Sequence, residues 1–136
     1  MILVDTSAWV EFDRGTNSAV HRRLAELIRD DADVASTEPI LMEVVAGARD
    51  ERRATQLRNL LLRFELLQFD PVADFDGAAG IYRRCRRAGV TPRGMIDCMI
   101  TAVARRHGAR LLALDADLIR VANIVGIELD DASGPT

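Results

Sequence analysis

The sequence contains no lysine, and all 18 residues counted as Lys or Arg are arginine. A P-loop needs a lysine after its glycines, and Schiff-base catalysis needs a primary amine. A phospho-accepting receiver domain normally places a lysine against its phosphate. The absence of lysine therefore excludes these three classes of site.

Cysteine and long apolar runs are also scarce. Cys85 and Cys98 lie in helical patterns without CxxC spacing, which indicates two reduced thiols that fill the core rather than a disulfide framework. With His21 and His107 they are too scattered for a zinc site. No apolar run spans a bilayer, and the first residues lack the basic flank and apolar stretch of a secretory signal. We expect a cytoplasmic protein without a membrane partner.

The charge of the chain is unevenly distributed. The chain has 136 residues, 49% of them hydrophobic, and a formal net charge of −3. This size and composition predict a single globular domain over residues 1–136. Residues 83–110 nevertheless carry eight arginines against one acid, Asp97. An arginine cluster is often only a solvated helix face, but guanidinium groups also match phosphate geometry. The arginines predicted to contact phosphate are Arg86, Arg87 and Arg93.

Apolar periodicity predicts alternating strands and helices. Strands are expected at residues 2–4, 34–35, 66–69, 111–114 and 127–129, with helices between them. Thr6 and Ser7 are expected to cap a helix that begins near Ala8. This order is typical of a three-layer α/β/α domain, in which a mostly parallel sheet has helices on both faces.

Four carboxylates lie in apolar stretches and form the candidate catalytic site. They are Asp5, Glu43, Asp97 and Asp115. A buried ionised carboxylate costs several kcal/mol unless it is paired, and neighbouring carboxylates repel one another. Ligands of parallel sheets bind at the carboxyl ends of the strands, where Asp5 and Asp115 fall, and the two helical acids must point to the same crevice. A divalent cation there would neutralise them.

The ligand type predicts which metal would bind. Oxygen ligands without histidine or cysteine favour Mg²⁺, or alternatively Mn²⁺. Asp5 and Asp97 are the predicted direct ligands, with Glu43 and Asp115 acting through water or at a second metal. Hydrolysis of a phosphodiester by a water activated in this way, with a carboxylate accepting its proton, leaves a 5′-phosphate and a 3′-hydroxyl.

Simpler interpretations remain open for single residues. Glu43 or Asp97 could be a buried acid paired with arginine, and Arg93 is the natural partner of Asp97 one turn later. Asp115 could be a helix cap and Asp5 a turn residue.

Two other functions also remain open for the chain. It could be an aspartyl phosphotransferase with Asp5 as nucleophile, although such enzymes usually carry a second Asp where this chain has Ser7. It could also be a non-catalytic module that binds a partner.

Four segments resemble PIN-domain ribonucleases, and more closely the toxins of VapBC-type toxin–antitoxin pairs. In chain order they are MILVDTSAWV, EPILMEVVAG, RGMIDCMITAVA and RLLALDADL. Taken in this order, the family pattern extends over nearly the whole chain. Leu118 departs from the pattern because many relatives have phenylalanine there, a difference that concerns packing more than chemistry.

The resemblance implies a metal-dependent endoribonuclease toxin that cuts single-stranded or loop regions of RNA, such as tRNA or rRNA. The four carboxylates occupy the acidic positions of the family. Asp117 supplies a second acid in the last motif and ranks below Asp115, with Thr6 and Ser7 as further supporting residues.

The resemblance also implies partners. A VapB-type antitoxin is expected, and a homodimer as well. Trp9, Val10 and Phe12 lie near the first helix beside Asp5, and they are the hypothetical apolar docking surface for an antitoxin helix.

Overall fold

Four short parallel strands form one sheet at the centre of the molecule. The computed structural model describes residues 1–135; residue 136, the last of the predicted domain, lies outside the described residues. The strand order is β3-β2-β1-β4, and every pairing is parallel. The strands are β1 Ile2–Val4, β2 Val34–Ser36, β3 Glu65–Leu66 and β4 Arg110–Leu112.

Seven helices connect and follow the strands in the described residues. Two lie between each consecutive pair of strands, and one follows β4. They are α1 Thr6–Arg14, α2 Ala19–Arg29, α3 Glu38–Ala46, α4 Glu51–Leu61, α5 Ala73–Arg87, α6 Met95–His107 and α7 Ala116–Val125. Among residues 1–135, none of these helices is long and apolar enough to cross a membrane.

Helices cover both faces of the sheet. Every residue of β1 and β2 is buried, as expected for strands packed on both sides. The chain steps outward from β1 through β2 to β3 and then returns across the sheet to β4. Helices α1 to α4 pack together in one group and α5 to α7 in another, and α3 also contacts α6. The predicted three-layer α/β class is confirmed.

The core is divided into a large cluster around the sheet and a smaller one under α5, α6 and α7. Leu3 and Leu111 are fully buried in the large cluster. Cys85, Cys98 and Ile81 lie in the smaller one. Both cysteines are buried free thiols, which confirms the expectation that they fill the core.

An ion pair fixes the mutual direction of α5 and α6. Asp74, in the first turn of α5, has a side chain only 1% exposed. Arg106, near the end of α6, donates from Nε to its Oδ1 over 2.9 Å and from Nη2 to its Oδ2 over 2.7 Å. The two helices are therefore antiparallel. The arginine-bearing end of α5 lies beside the start of α6.

Three local expectations were wrong. Helix α1 begins at Thr6 rather than near Ala8, because Asp5 is its N-cap. Strand β3 has two residues instead of the predicted 66–69, since Phe69 N donates to the Glu38 side chain outside the sheet. The strand expected at 127–129 is a single bridge between Leu129 and Leu111, because the chain then turns at residues 130–133.

Candidate active site

Asp5 is held rigidly where β1 passes into α1. Its Oδ2 accepts from Ser7 N over 3.0 Å and from Ser7 Oγ over 2.5 Å. Its backbone N donates to Leu112 O of the neighbouring strand β4 over 3.0 Å. The residue is only 3% exposed. Asp5 therefore caps α1 and is fixed at the carboxyl edge of the sheet.

The Ser7 hydroxyl also holds the loop that carries Asp115. Its oxygen accepts from Leu114 N over 2.9 Å and from Asp115 N over 3.2 Å. Asp115 in turn caps α7, because its Oδ1 accepts from the backbone N of Asp117 and Leu118 over 2.8 and 3.1 Å. In residues 1–135, no hydrogen bond reaches Asp115 Oδ2. One hydroxyl thus positions two of the predicted acids.

Glu43 reaches the same region from α3. Thr6 Oγ1 donates to Glu43 Oε1 over 2.7 Å, and no described residue hydrogen-bonds to Oε2. The expectation that Thr6 and Ser7 act as helix caps is therefore wrong. Their hydroxyls orient the acids, while Asp5 does the capping. The sequence contained this signal, since aspartate is as good an N-cap as serine.

Asp97 has no such support. It lies in the first turn of α6, and Thr101 Oγ1 donates to its backbone carbonyl over 2.7 Å rather than to its carboxylate. Within residues 1–135, the carboxylate receives neither a hydrogen bond nor an ion pair. The alternative in which Arg93 neutralises Asp97 is wrong, because the Arg93 guanidinium pairs with Asp117.

Burial and mutual repulsion disfavour the charged forms of two acids. Burial, assisted by the charge of Glu43, raises the pKa of Asp5 to about 6 even though the Ser7 hydrogen bonds lower it. Burial also raises the pKa of Asp97 to about 7, followed by repulsion from Asp5, Asp115, Glu43 and, least, Asp117. The charges of the other three predicted acids therefore all act on Asp97.

An open cleft of about 470 Å³ joins most of these acids, although Asp5 is not among the residues that line it. Glu43, Asp97, Asp115 and Asp117 line it, with Arg93 among the other lining residues. No group of three His, Cys, Asp or Glu side chains within residues 1–135 forms a complete metal-binding cluster. The acids border a cleft rather than a closed cage. Such a site fits Mg²⁺, which commonly uses one or two carboxylates, several waters and substrate phosphates.

Asp117 binds two arginines at the mouth of this cleft. Arg93 Nε pairs with its Oδ2, and Arg120 Nη1 donates to its Oδ1 over 3.1 Å. The sequence analysis missed Arg120, although its position three residues after Asp117 on a helix is a recognisable signal. Asp117 is thus already neutralised, whereas Asp97 is not.

The remaining predicted RNA contacts, Arg86 and Arg87, are exposed at the end of α5. Arg86 lies over the ring of Tyr82, 6.0 Å from its centroid. Neither arginine forms an ion pair within the described part of the chain. Because α5 and α6 are antiparallel, this end of α5 lies near the start of α6, which carries Asp97.

The predicted antitoxin surface is only partly exposed. Trp9 is 1% exposed and packs between Phe12 and Phe64, so its expected role as a contact residue is corrected to a core role. Val10 and Phe12 are half-buried. Trp9 and Val10 also line a cavity of about 60 Å³ beside Glu43. What remains of this surface adjoins one of the acids.

Comparison with known proteins agrees with this geometry. Residues 2–124 match the PIN domain family. The chain is 45% identical over 129 residues to ribonuclease VapC11 of Mycobacterium tuberculosis, an alignment that covers 94% of this chain and 96% of that protein.

Solved structures share the fold. VapBC2 from Rickettsia felis, bound to a DNA fragment from its promoter, superimposes with a TM-score of 0.74 over 100% of both chains at 17% identity. VapC20 of Mycobacterium tuberculosis, named as a sarcin-ricin loop cleaving toxin, gives a TM-score of 0.66 at 20% identity. That superposition covers 88% of this chain and 94% of the other.

The raised pKa of Asp97 predicts that Asp97→Asn stabilises the metal-free protein at alkaline pH. An acid with a raised folded-state pKa opposes folding when ionised, and the opposition weakens as the pH falls through about 7. In EDTA at pH 8, we expect Asp97→Asn to melt about 4 °C above the wild type, with the gap narrowing toward pH 5. Differential scanning fluorimetry across this range measures the gap.

The exposed Asp131 provides the matched control, because Asp131→Asn removes the same charge outside the cleft. This variant should melt within about 1 °C of the wild type at both pH values. An Asp97→Asn variant less stable than the wild type at pH 8 would show that a favourable partner holds the Asp97 carboxylate.

Proposed function

The chain belongs to the VapC family of PIN-domain ribonucleases, and on that premise we propose that it is a Mg²⁺-dependent endoribonuclease toxin of a type II toxin–antitoxin pair. The proposal includes cleavage of single-stranded or loop regions of RNA. It assigns catalysis to Asp5, Glu43, Asp97 and Asp115.

The observation that carries this proposal is the uncompensated charge of Asp97. Its carboxylate lines the cleft without a hydrogen bond or ion pair in the described residues, while burial and the charges of four other acids raise its pKa. Such an arrangement destabilises the fold at neutral pH, and strongly perturbed groups in clefts are typical of functional sites. A divalent cation would relieve the repulsion.

The residues fit such a cation in number and chemistry. We assign Asp5 and Asp97 as direct ligands of Mg²⁺, with Mn²⁺ as the alternative ion, and Glu43 and Asp115 as residues that act through water or at a second metal. When bound, the cation lowers the pKa of a water molecule and polarises the phosphoryl oxygen.

The chain's own groups then orient the reactants and move the proton. Glu43 and Asp115 each have one oxygen fixed by a hydrogen bond, which leaves Oε2 or Oδ2 to accept the proton of the attacking water. The water oxygen forms a bond to phosphorus as the bond to the 3′-oxygen breaks, and that oxygen takes up a proton. The products are a 5′-phosphate and a 3′-hydroxyl. The hydroxyls of Thr6 and Ser7 hold the acids in position through their hydrogen bonds.

Arginines supply the phosphate contacts outside the reacting centre. Arg86 and Arg87 are exposed on the end of α5, and Arg93 lines the cleft. Guanidinium groups at these places can contact the phosphates of an RNA backbone that enters the cleft from the side of α5. Sequence-specific RNA recognition usually targets unpaired bases, so we propose a loop in a tRNA or rRNA as the substrate.

We further propose a VapB-type antitoxin as partner, as in the similar toxin–antitoxin complexes. Val10 and Phe12 and the adjoining cavity offer an apolar surface next to Glu43, from which a basic antitoxin residue could reach the acids. A homodimer, which rests on the family resemblance, and a cytoplasmic location, which rests on the sequence, also remain parts of the proposal.

The structure does not favour Asp5 as a phosphoryl-accepting nucleophile. Enzymes with such a nucleophile usually carry a second Asp two residues later, whereas this chain has Ser7 there, and its hydroxyl donates to Asp5 Oδ2. Nor does any observation favour a purely non-catalytic module, because all four acids are present and share one electrostatic field.

Cleavage of RNA tests the proposed activity. With Mg²⁺, the wild type should cut a single-stranded RNA to products with 5′-phosphates, and Asp5→Asn should slow cleavage at least about 100-fold because a ligand oxygen is lost. Product ends are read by sequencing and by sensitivity to a 5′-phosphate-dependent exonuclease.

Asp76→Asn is the control, since Asp76 is exposed at the start of α5 and outside the cleft. It should cut RNA at the wild-type rate. Equal cleavage by wild type and Asp5→Asn, both confirmed as folded by circular dichroism, would refute the assigned active site.

Binding of the antitoxin tests the proposed docking surface. Val10→Glu places a charge beside the apolar cavity and Glu43, so affinity for the antitoxin encoded alongside the toxin should fall at least about tenfold. Val72→Glu, at a position 80% exposed before α5, should bind like the wild type. Calorimetric titration of the folded variants gives both affinities, and equal values would exclude Val10 from the interface.

A further inference from the structure

We propose that Asp117 is an anchor that holds Arg93 at the mouth of the cleft, away from the catalytic acids, until Arg93 transfers to a phosphate of the bound RNA. This inference rests on the proposed function. It assigns Asp117 the role of a positioning residue and not that of a metal ligand.

The two oxygens of Asp117 are divided between two arginines. Arg93 Nε pairs with Oδ2, and Arg120 Nη1 donates to Oδ1 over 3.1 Å. The Asp117 side chain is 13% exposed, whereas that of Arg93 is 78% exposed. Asp117 is therefore a fixed acceptor, and Arg93 is the partner that can leave.

Release of Arg93 does not leave the Asp117 carboxylate without a positively charged partner. Removing one member of a buried pair is costly when the other is left alone, but Arg120 remains on Asp117. The Arg93 pair itself is solvent-exposed, and exposed ion pairs are weak. A phosphate can bind a guanidinium through two parallel hydrogen bonds, which gives RNA an advantage over the single oxygen that Asp117 offers Arg93.

Arg93 would interfere with the acids if nothing held it. It precedes α6, lines the same cleft as Asp97 and Asp115, and lies within their electrostatic reach. Without Asp117 to hold it, Arg93 would be drawn to these carboxylates, because Asp97 has no partner of its own among residues 1–135. It would then compete with a divalent cation. The anchor therefore keeps the cleft open to metal and keeps a guanidinium beside the path of the RNA.

RNA binding without metal tests the transfer of Arg93. In EDTA, Arg93→Gln should weaken binding of a fluorescent single-stranded RNA about tenfold, as expected for the loss of a charge-assisted phosphate contact. The slope of log affinity against log salt should fall by about 0.7, the value for one phosphate contact on a single strand. Fluorescence anisotropy at several salt concentrations measures both quantities.

Arg29→Gln is the matched control for this measurement. Arg29 is 71% exposed at the end of α2 and lies 3.7 Å from Asp30, so the substitution removes the same charge from a similar exposed pair. It should leave both affinity and slope at wild-type values. Arg93→Gln behaving like Arg29→Gln would overturn the inference while leaving the proposed ribonuclease function intact. A wild type that binds no RNA would overturn both.

Mg²⁺ binding without RNA tests the anchor. Asp117→Asn should raise the calorimetric Kd for Mg²⁺ about threefold or more, because Arg93 is freed to reach the acids. In an Arg93→Gln background, the same Asp117→Asn change should have no effect. An unchanged Kd in the single variant contradicts the anchor. An equal rise in both backgrounds also contradicts it, since Asp117 would then be a ligand itself.

Discussion

Repulsion among carboxylates at one edge of the sheet is the constraint around which this site is built. Elsewhere the fold neutralises its buried acids with arginine: Asp74 binds Arg106, and Asp130 binds Arg23 and Arg110. The candidate site is different. Three of its acids, Asp5, Glu43 and Asp115, are held by hydroxyl and backbone groups that orient them without adding positive charge. The fold thereby retains a negative field that only a cation from outside can balance.

Two adjacent hydroxyls give this field its geometry. Thr6 reaches Glu43 on α3, and Ser7 joins Asp5 to the backbone before Asp115. A dipeptide at the start of α1 thus sets the positions of acids from three parts of the chain. Asp97 approaches independently on α6, whose direction is fixed through α5. The arginines, for their part, stay at the mouth of the cleft and on the end of α5, where phosphate would arrive.

Much of this arrangement was predictable from the sequence, for physical reasons. Apolar runs that end in an acid identify parallel strands whose carboxyl ends meet, so Asp5 and Asp115 could be placed together. Contacts between segments that are distant in the sequence could not be predicted in this way. Whether Arg93 pairs with Asp97 or with Asp117 depends on how the loop before α6 meets α7. The burial of Trp9 depends on Phe64, which lies between α4 and β3. The chemical role of each acid, and the extent of the domain to residue 136, stay predictions.

The melting temperature in the presence of metal tests the central claim most directly. Binding to the folded state stabilises it, so millimolar Mg²⁺ or Mn²⁺ at pH 8 should raise the wild-type melting temperature by about 4 °C or more over EDTA. Asp97→Asn should lose most of this rise, because it removes both a ligand and the charge that resists folding. A wild type that melts at the same temperature with and without these ions would contradict the account, since the carboxylates would then have no unbalanced charge for a cation to relieve.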